Sequence, residues 1–463
     1  MKRIAMFCIP AHGHTNPMTA VAAELVRRGN TVRFYSFDEF EEKIRRTGAE
    51  FVSCSGMMPE LSEKEERGLK KVSITEMTIQ DIRLTMSMND FFAAEFESFK
   101  PDVVYSDSAC FWGKLNAWKF GVPLVVSTST FAFNQLSSQY MKHSPAEMAD
   151  MVFGLPRMSA ELRKLAPLGY KCKGVLSLIA SDNDTDSVVY TSKEFQPFAE
   201  SFSEHYLFMG PSLDTEAAPD KDKPRPLVYI SMGTVINDRP DFYNNCIEAL
   251  KDLDADVVIS CGKTVDIASF GTLPGNIRLY PYVDQLDVLS KADVFITHCG
   301  MNSVSESLYM AAPMVLYPQT GEQEAVARRV KEIGAGEYLK DDTAEGIKAA
   351  VKSVLGSKAC AQAARKCSDE FRACPGTAGA AVFIENAPHS TDAPDPLKEI
   401  NRVSSLYMLA FRTAMILLAV LIFIFAGWKF IWIPLAVMGV FSAPLGKAVS
   451  QYVFRKKYRR QTV

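Results

Sequence analysis

The segment Thr297-His298-Cys299-Gly300-Met301-Asn302-Ser303-Val304-Ser305-Glu306 brings an imidazole, an amide, hydroxyls, a glycine and a carboxylate into one short run. Val294, Phe295 and Ile296 read as a short buried strand and Asn302 to Met310 as a helix, so His298, Gly300 and Ser303 fall on the turn between them. A helix start presents unpaired N–H groups and a partial positive charge, which suits a diphosphate. Gly300 lets the backbone come close, Asn302 and Ser303 offer hydrogen-bond donors, and His298 adds a donor or a positive charge. Glu306, one turn beyond Ser303, can accept hydrogen bonds from a ribose diol. After one helix comes Pro318-Gln319-Thr320-Gly321-Glu322-Gln323, a carboxylate and an amide at a second helix start. Glycine and serine at a helix start are by themselves an ordinary cap. The ordered set from His298 to Gln323 is what points to a ligand.

A second chemistry lies near the N-terminus. An attacking hydroxyl must lose its proton as it bonds to carbon, and a neutral imidazole is the usual acceptor near neutral pH. His14 follows the apolar run Ile4 to Ile9, in the crevice where ligands bind in open parallel sheets. Asp107 closes Asp102-Val103-Val104-Tyr105-Ser106 at the same sheet edge and could hold the other ring nitrogen, fixing the tautomer. His12 is the competing base.

The elements that must position these groups follow from local pattern. Ile4 to Ile9 reads as a strand, Pro17 as the first turn of a helix to Arg28 closed by Gly29, and Thr31 to Phe37 as the next strand. This is the opening of a doubly wound α/β sheet. A similar unit spans Pro101 to Val126, with Gly121 to Val126 supplying its second strand. A polar linker with Pro219, Pro224 and Pro226 covers 214–226, and Leu227 to Ser231 begins a second series.

At these residues the chain resembles the UDP-glycosyltransferases, and within them the bacterial macrolide glycosyltransferase group, over about residues 1–390. The family signature runs from an aromatic-Val/Ala-Pro-Gln element through His-Cys-Gly-x-Asn-Ser-x-x-Glu to an acidic-Gln pair. The first element reads Tyr282-Val283-Asp284-Gln285, the second is complete, and the last is Glu322-Gln323. The resemblance implies a GT-B fold, two Rossmann-like domains facing a cleft. On that basis residues 1–213 are expected to form the acceptor domain, 214–226 a linker, 227–376 the nucleotide-sugar domain, and 377–400 a crossover helix and linker.

The resemblance also assigns roles. It points to His14 as base, in preference to His12, with Asp107 as orienting acid. It places Thr234 on the diphosphate, Tyr282 on the uracil ring, the Val283 backbone beside the base and Gln285 near the ribose. Base stacking on an aromatic ring contributes ~1–3 kcal/mol. Glu322 and Gln323 would hold sugar hydroxyls, and Gln323 suggests UDP-glucose as donor. The family more often carries Trp at 282, Pro at 284 and Asp at 322. The implied reaction is a single displacement in which an α-linked UDP-sugar gives a β-glycoside. The helix start, His298 and Thr234 would stabilise the departing UDP, with no metal and no other cofactor.

Composition agrees with two substantial domains: 463 residues, 48% hydrophobic and 23% charged. A net charge of −3 gives no reason to propose a nucleic-acid partner. The ten cysteines are scattered without a Cys-x-x-Cys pair and read as reduced, buried thiols. Asp184-Thr185-Asp186 and Asp254-Ala255-Asp256 each lead into an apolar strand and read as acidic turns. The N-terminus is expected to be a first strand with no secretory signal.

The C-terminus differs in character. Between Ser405 and Val449 the charges are Arg412, Lys429 and Lys447, leaving apolar stretches at about 406–427 and 430–449. Two transmembrane or re-entrant helices are expected within 405–450, with Trp428 and Trp432 at an interface. The tail 451–463 holds five basic residues, Arg455, Lys456, Lys457, Arg459 and Arg460, and no acid, as expected of a cytoplasmic flank of a membrane-anchored enzyme. Ser55 to Gln80 and Phe131 to Leu168 are the least regular stretches and are expected to shape the acceptor pocket. The second carries Met141, Met148, Met151, Phe153 and Met158, an adaptable apolar set for a hydrophobic small-molecule or lipid-like acceptor, or equally ordinary helix packing. Two other classes stay open on sequence: a membrane-tethered nucleotide-sugar-binding subunit without turnover, and a nucleotide-sugar epimerase or hydrolase.

Overall fold

A computed structural model of the protein describes residues 1–57, 73–141, 144–172, 174–179, 182–213, 217–233, 237–393, 395–426 and 432–458. Its strands form two wholly parallel sheets. The first contains β1 (Arg3–Phe7), β2 (Thr31–Ser36), β3 (Glu50–Ser53), β4 (Val103–Asp107), β5 (Leu124–Thr128), β6 (Asp186–Val189) and β7 (Tyr206–Phe208), in the order β3-β2-β1-β4-β5-β6-β7. The second contains β8 (Leu227–Ser231), β9 (Asp256–Ser260), β10 (Ile277–Tyr280), β11 (Val294–Thr297), β12 (Met314–Leu316) and β13 (Gly336–Tyr338), ordered β10-β9-β8-β11-β12-β13.

In each sheet the strand order reverses direction between two central neighbours, β1 with β4 and β8 with β11. Loops leaving such a pair part to opposite sides and open a crevice at the strands' carboxyl ends. The central strands are apolar on both faces because helices cover both. Ile4 and Met6 pack with Met18, Val21 and Leu25 on one side, while Ala5 and Phe7 pack with Phe92, Phe96 and Trp112 on the other. In the second sheet Val228 and Ile230 face one core and Tyr229, stacked on Phe295, faces the other.

Helix α1 (His12–Arg27) starts earlier than the sequence reading placed it, so Pro17 lies inside the helix rather than in its first turn. Proline has no N–H, and the Gly13 carbonyl four residues earlier therefore lacks its helical donor. The stretch from Ser55 to Gln80 is less irregular than expected where it is described, since α2 (Ile74–Ser87) begins there with Ser73 accepting from the Glu76 N–H. Residues 58–72 lie outside the described residues. Between Phe131 and Leu168 runs a long helix, α3 (Pro145–Arg163), started by a reciprocal cap between Ser144 and Glu147. It buries Met158 against Ile79 and Val175 and leaves Met148 and Phe153 exposed.

The described part of the linker is strapped to the second sheet's domain. The Asp220 N–H donates to Ser290 O, and Lys221 Nζ donates to the carbonyls of Leu289 and Ala292. Further on, α4 (Gly376–Glu385) lies against α1, with Ala380, Ala381 and Ile384 in the core of the first sheet. Glu385 there accepts from Arg28 at 2.9 and 2.7 Å and from Asn30 Nδ2 at 2.7 Å.

The chain ends in an antiparallel helical hairpin, α5 (Pro396–Ala426) and α6 (Trp432–Tyr458). Ser404 and Ser450 share a hydrogen bond of 3.0 Å, and Glu399 pairs with Lys457. Among the described residues one stretch, within 396–422, is long and apolar enough to cross a membrane. Its most apolar window is only 6% buried. The expected second span, 430–449, falls partly outside the described residues. The turn 427–431, with Trp428 and Lys429, lies outside the described residues.

Candidate active site

His14 is the third residue of α1, and Asp107 is the last residue of β4. Because β1 and β4 are neighbours, the loop leaving β1 brings the imidazole over the end of β4. His14 Nδ1 lies 2.7 Å from Asp107 Oδ2, and the carboxylate is wholly buried while the His14 side chain is 24% exposed. The other oxygen, Oδ1, accepts the Ala109 N–H at 2.8 Å, which fixes the carboxylate plane. An ionised carboxylate only accepts, so Nδ1 carries the hydrogen and the lone pair sits on Nε2. Nε2 has no protein partner among the described residues. Burial alone would push this imidazole down, but the charge and hydrogen bond of Asp107, with Glu322 contributing from the other domain, hold it above the ordinary imidazole value.

Two neighbours of this pair carry no sequence signal of their own. Ser129 Oγ sits 3.0 Å from the same His14 Nδ1. It directly follows β5, whose Ser127 is in register with Asp107, so its place at the same sheet edge was the available clue. Lys114 is buried beneath Asp107, donating to the carbonyl of Ser108 and to that of Leu178 at 2.8 Å. Burial pushes its ammonium down to about 8 despite nearby carboxylates. His12, the competing base, is exposed and packs edge-on against Phe40 at 5.0 Å.

Across the cleft, β11 passes into α7, the helix that starts at Met301 and runs to Tyr309, through His298, Cys299 and Gly300. Gly300 is its N-cap and no side chain caps it, so the first N–H groups stay available. Cys299 holds a left-handed φ of 67°, a conformation costly for a side-chain-bearing residue, and its N–H donates to Thr297 Oγ1 at 3.1 Å. His298 is clasped between two glycines. A Cβ on Gly233 would approach its Cε1 to 2.5 Å, and one on Gly300 would approach its Nε2 to 2.5 Å. Burial pushes His298 down to about 4, against a small opposing contribution from the Ser231 backbone. At that value the ring is neutral near pH 7, and of the two expected roles, donor or positive charge, burial favours the donor. Thr234 lies outside the described residues.

Glu306 accepts from Gln285 Nε2 at 2.6 Å; the same nitrogen is 3.2 Å from Ser303 Oγ, and Tyr229 donates to Gln285 Oε1 at 3.1 Å. Burial pushes the Glu306 carboxyl up to about 7, with Gln285 opposing. Asp284 takes the cap of helix Gln285–Lys291, accepting from the Asp287 N–H at 3.2 Å, a structural use for the carboxylate found where the resembled family prefers proline. Tyr282 is 74% exposed, an open aromatic face beside the half-buried Val283. Glu322 and Gln323 stand in the first turn of helix Gly321–Glu332, capped by Thr320. Gln323 Oε1 accepts the Gln319 N–H at 2.8 Å, so its amide nitrogen is the group left for a ligand. Glu322 is solvent-accessible yet flanked by both domains; desolvation raises its carboxyl, with the His14 charge opposing.

The two halves meet at this site. Asn302 Nδ2 donates at 3.2 Å to Gly13 O, the carbonyl that Pro17 leaves without a helical donor. Within the first half, Ser212 Oγ donates to Pro17 O at 2.7 Å. Between the two halves a small cleft is lined by Asn16, Pro17, Tyr190, Ser212, Asn302 and Glu306, among others. The carboxylates with Asp-x-Asp spacing are elsewhere and engaged. Asp186 pairs with His205 and His389, Asp184 with Lys398, and Asp254 and Asp256 with Arg225.

Comparison with known proteins gives this geometry its context. Residues 215–374 match the family described as UDP-glucoronosyl and UDP-glucosyl transferase. An NDP-glycosyltransferase, YjiC, of Bacillus licheniformis is 35% identical over 374 residues, covering 77% of this chain and 90% of the relative. The demethyllactenocin mycarosyltransferase of Streptomyces fradiae is 29% identical over 406 residues, covering 83% and 86%. Among solved structures, the kitacinnamycin glycosyltransferase superposes with a TM-score of 0.70 at 28% identity, over 83% of this chain and 98% of that one. With two parallel-sheet domains of the GT-B type, the chain belongs to the UDP-glycosyltransferase family and is a glycosyltransferase.

Proposed function

We propose that the protein transfers a hexose, glucose in the first instance, from a UDP-sugar to a hydroxyl of a hydrophobic small molecule or lipid, with inversion at the anomeric carbon. The observation that carries this reading is the His14–Asp107 contact of 2.7 Å, facing an uncapped helix start in the other domain. The acceptor proton passes to His14 Nε2 as the acceptor oxygen bonds to the anomeric carbon. The bond from that carbon to the β-phosphate oxygen breaks, and its electron pair leaves with UDP. Asp107 holds the imidazole in the required tautomer and offsets the imidazolium charge.

The N–H groups of Gly300, Met301 and Asn302, the Ser303 hydroxyl, Thr234 and neutral His298 receive the diphosphate. Tyr282 stacks on the base, Val283 lies against it, and Gln285 with Glu306 takes the ribose hydroxyls. Glu322 and the Gln323 amide take the sugar. An acidic helix-start residue beside the base has a second effect, because its charge also favours the imidazolium. The exposed Met148 and Phe153 of α3 favour an apolar acceptor, and the hairpin α5–α6 is read as a membrane element that keeps the catalytic domains on the cytoplasmic side. The alternative of a binding subunit has nothing in its favour in a chain that retains the His14–Asp107 pair.

The reading is tested by incubating the purified protein with UDP-glucose and a pool of hydrophobic alcohols, phenols and membrane lipids. UDP release that depends on the pool, with a β-configured product by NMR, supports it. Release without acceptor, or an α-configured product, contradicts it.

A further inference from the structure

The hairpin is not a loose tether. Ile400 of α5 and Phe454 of α6 bury against Leu136, and Phe198 packs on Phe454 at 5.0 Å. Leu136 lies on the loop that leaves β5, the loop whose Ser129 touches His14. Seven residues span at most about 25 Å, so the hairpin base stands within that reach of the catalytic imidazole.

Charge is distributed unevenly along the hairpin. Its described residues contain one acid, Glu399, which is paired with Lys457. Lys398 is paired with Asp184. Arg402, Lys447, Arg455 and Lys456 are all exposed and have no acidic partner among the described residues; Arg412, exposed and likewise without one, lies about 8 Å farther out along α5. The Ser404–Ser450 bond sets the register of the two helices. At 1.5 Å per residue these four cations fall within a band of about 14 Å along the hairpin axis, at the end nearest the catalytic domains. Tyr407 and Tyr452, both more than half exposed, lie in the same band, where an aromatic belt meets headgroups. Beyond it, Ile416, Leu417, Leu418, Val420, Leu421, Ile424 and Phe425 are exposed over more than half of the circumference of α5, the rest being the face of buried Ala419 and half-buried Met415 and Ile422. A protein partner would need one narrow apolar stripe, whereas apolar exposure this broad fits acyl chains.

We propose that this band of Arg402, Lys447, Arg455 and Lys456 with Tyr407 and Tyr452 is a docking surface for anionic lipid headgroups, which seats the acceptor side of the cleft against the bilayer. The proposal rests on the membrane reading of the hairpin and adds a lipid preference and an orientation to it. Each cation near an anionic surface strengthens binding by about fivefold, more at low salt.

The test is flotation of the full-length protein, carried over from detergent, with vesicles of phosphatidylcholine alone or mixed with phosphatidylglycerol. The expected result is tighter association with the mixed vesicles. The triple substitution Arg402→Gln, Arg455→Gln, Lys456→Gln is expected to lose on the order of a hundredfold of that preference while still floating with phosphatidylcholine. The charge-preserving pair Arg455→Lys, Lys456→Arg is expected to keep it, which separates charge from a folding defect. Equal association of the unaltered protein with both vesicles would overturn the headgroup surface and leave the membrane element standing. Association with neither vesicle would overturn the membrane element itself.

Discussion

Asp107 does for His14 what no solvent could: it is fully buried, has one oxygen committed to the Ala109 N–H, and has only the other to offer the imidazole. Glu322 acts on the same ring from the opposite domain, through charge alone. A general base works only when neutral, so an imidazole held above its ordinary value gives a rate that rises with pH along a limb shifted to the alkaline side of a free histidine. Removing one raising charge must move that limb to lower pH. Glu322→Gln is therefore expected to shift the acid limb of kcat/KM downward while raising donor KM, as read from a pH–rate profile. A limb that stays in place would contradict the proposed coupling. At this scale the sequence was readable where chemistry and position coincided, as for His14, at the helix start that follows β1, and Asp107, at the end of β4. Ser129 and Lys114 were not readable, since a serine after a strand and a lysine in a helix become informative only once the fold puts them against the pair. The charge state of His298 was equally hidden, because its burial depends on Gly233, which is distant in sequence.

The turn from β11 into α7 illustrates how an element, rather than a residue, makes a site. Left-handed Cys299 reverses the chain, Gly300 leaves the helix start uncapped, and His298 fills the space where two side chains would stand. Gly300 has a φ of −62°, so alanine there meets no backbone strain and its methyl group acts only on His298. Gly300→Ala is expected to weaken donor binding by tenfold or more with little change in circular dichroism or melting temperature; unchanged donor KM would contradict the clasp. Periodicity and capping residues made this turn visible in the sequence to within a residue at either end. Pro17 was misplaced for a physical reason: a proline suits a helix start, but here Asn302 from the other domain supplies the donor that the Gly13 carbonyl lacks, so the helix can begin earlier.

The whole molecule is held by returns of the chain onto its first half. Helix α4 crosses to α1, where Glu385 receives two hydrogen bonds from Arg28 and one from buried Asn30. The Arg28 hydrogen bond, reinforced by Asn30, holds the Glu385 carboxyl below its ordinary value against desolvation. A depressed carboxylate stabilises the fold above its unfolded pKa, and that stability is lost as pH falls through the folded value. Glu385→Gln is thus expected to destabilise by about 1 kcal/mol at neutral pH, with the difference fading in acid, as followed by thermal melts across pH. An equal deficit at both ends of the pH range would contradict it. The two-sheet plan could be read from alternating strand and helix patterns. How the hairpin docks on Leu136 and Phe198 could not, because contacts between residues more than 250 positions apart leave no local signature.

The central claim is that His14 removes the acceptor proton, and the most direct measurement is acceptor-dependent UDP release from UDP-glucose by the unaltered protein and by His14→Ala, with donor binding measured separately by titration. The account predicts a fall in kcat on the order of a hundredfold to ten-thousandfold with donor affinity nearly unchanged. A variant that releases UDP at the normal rate, or that loses donor binding in parallel with turnover, would contradict it.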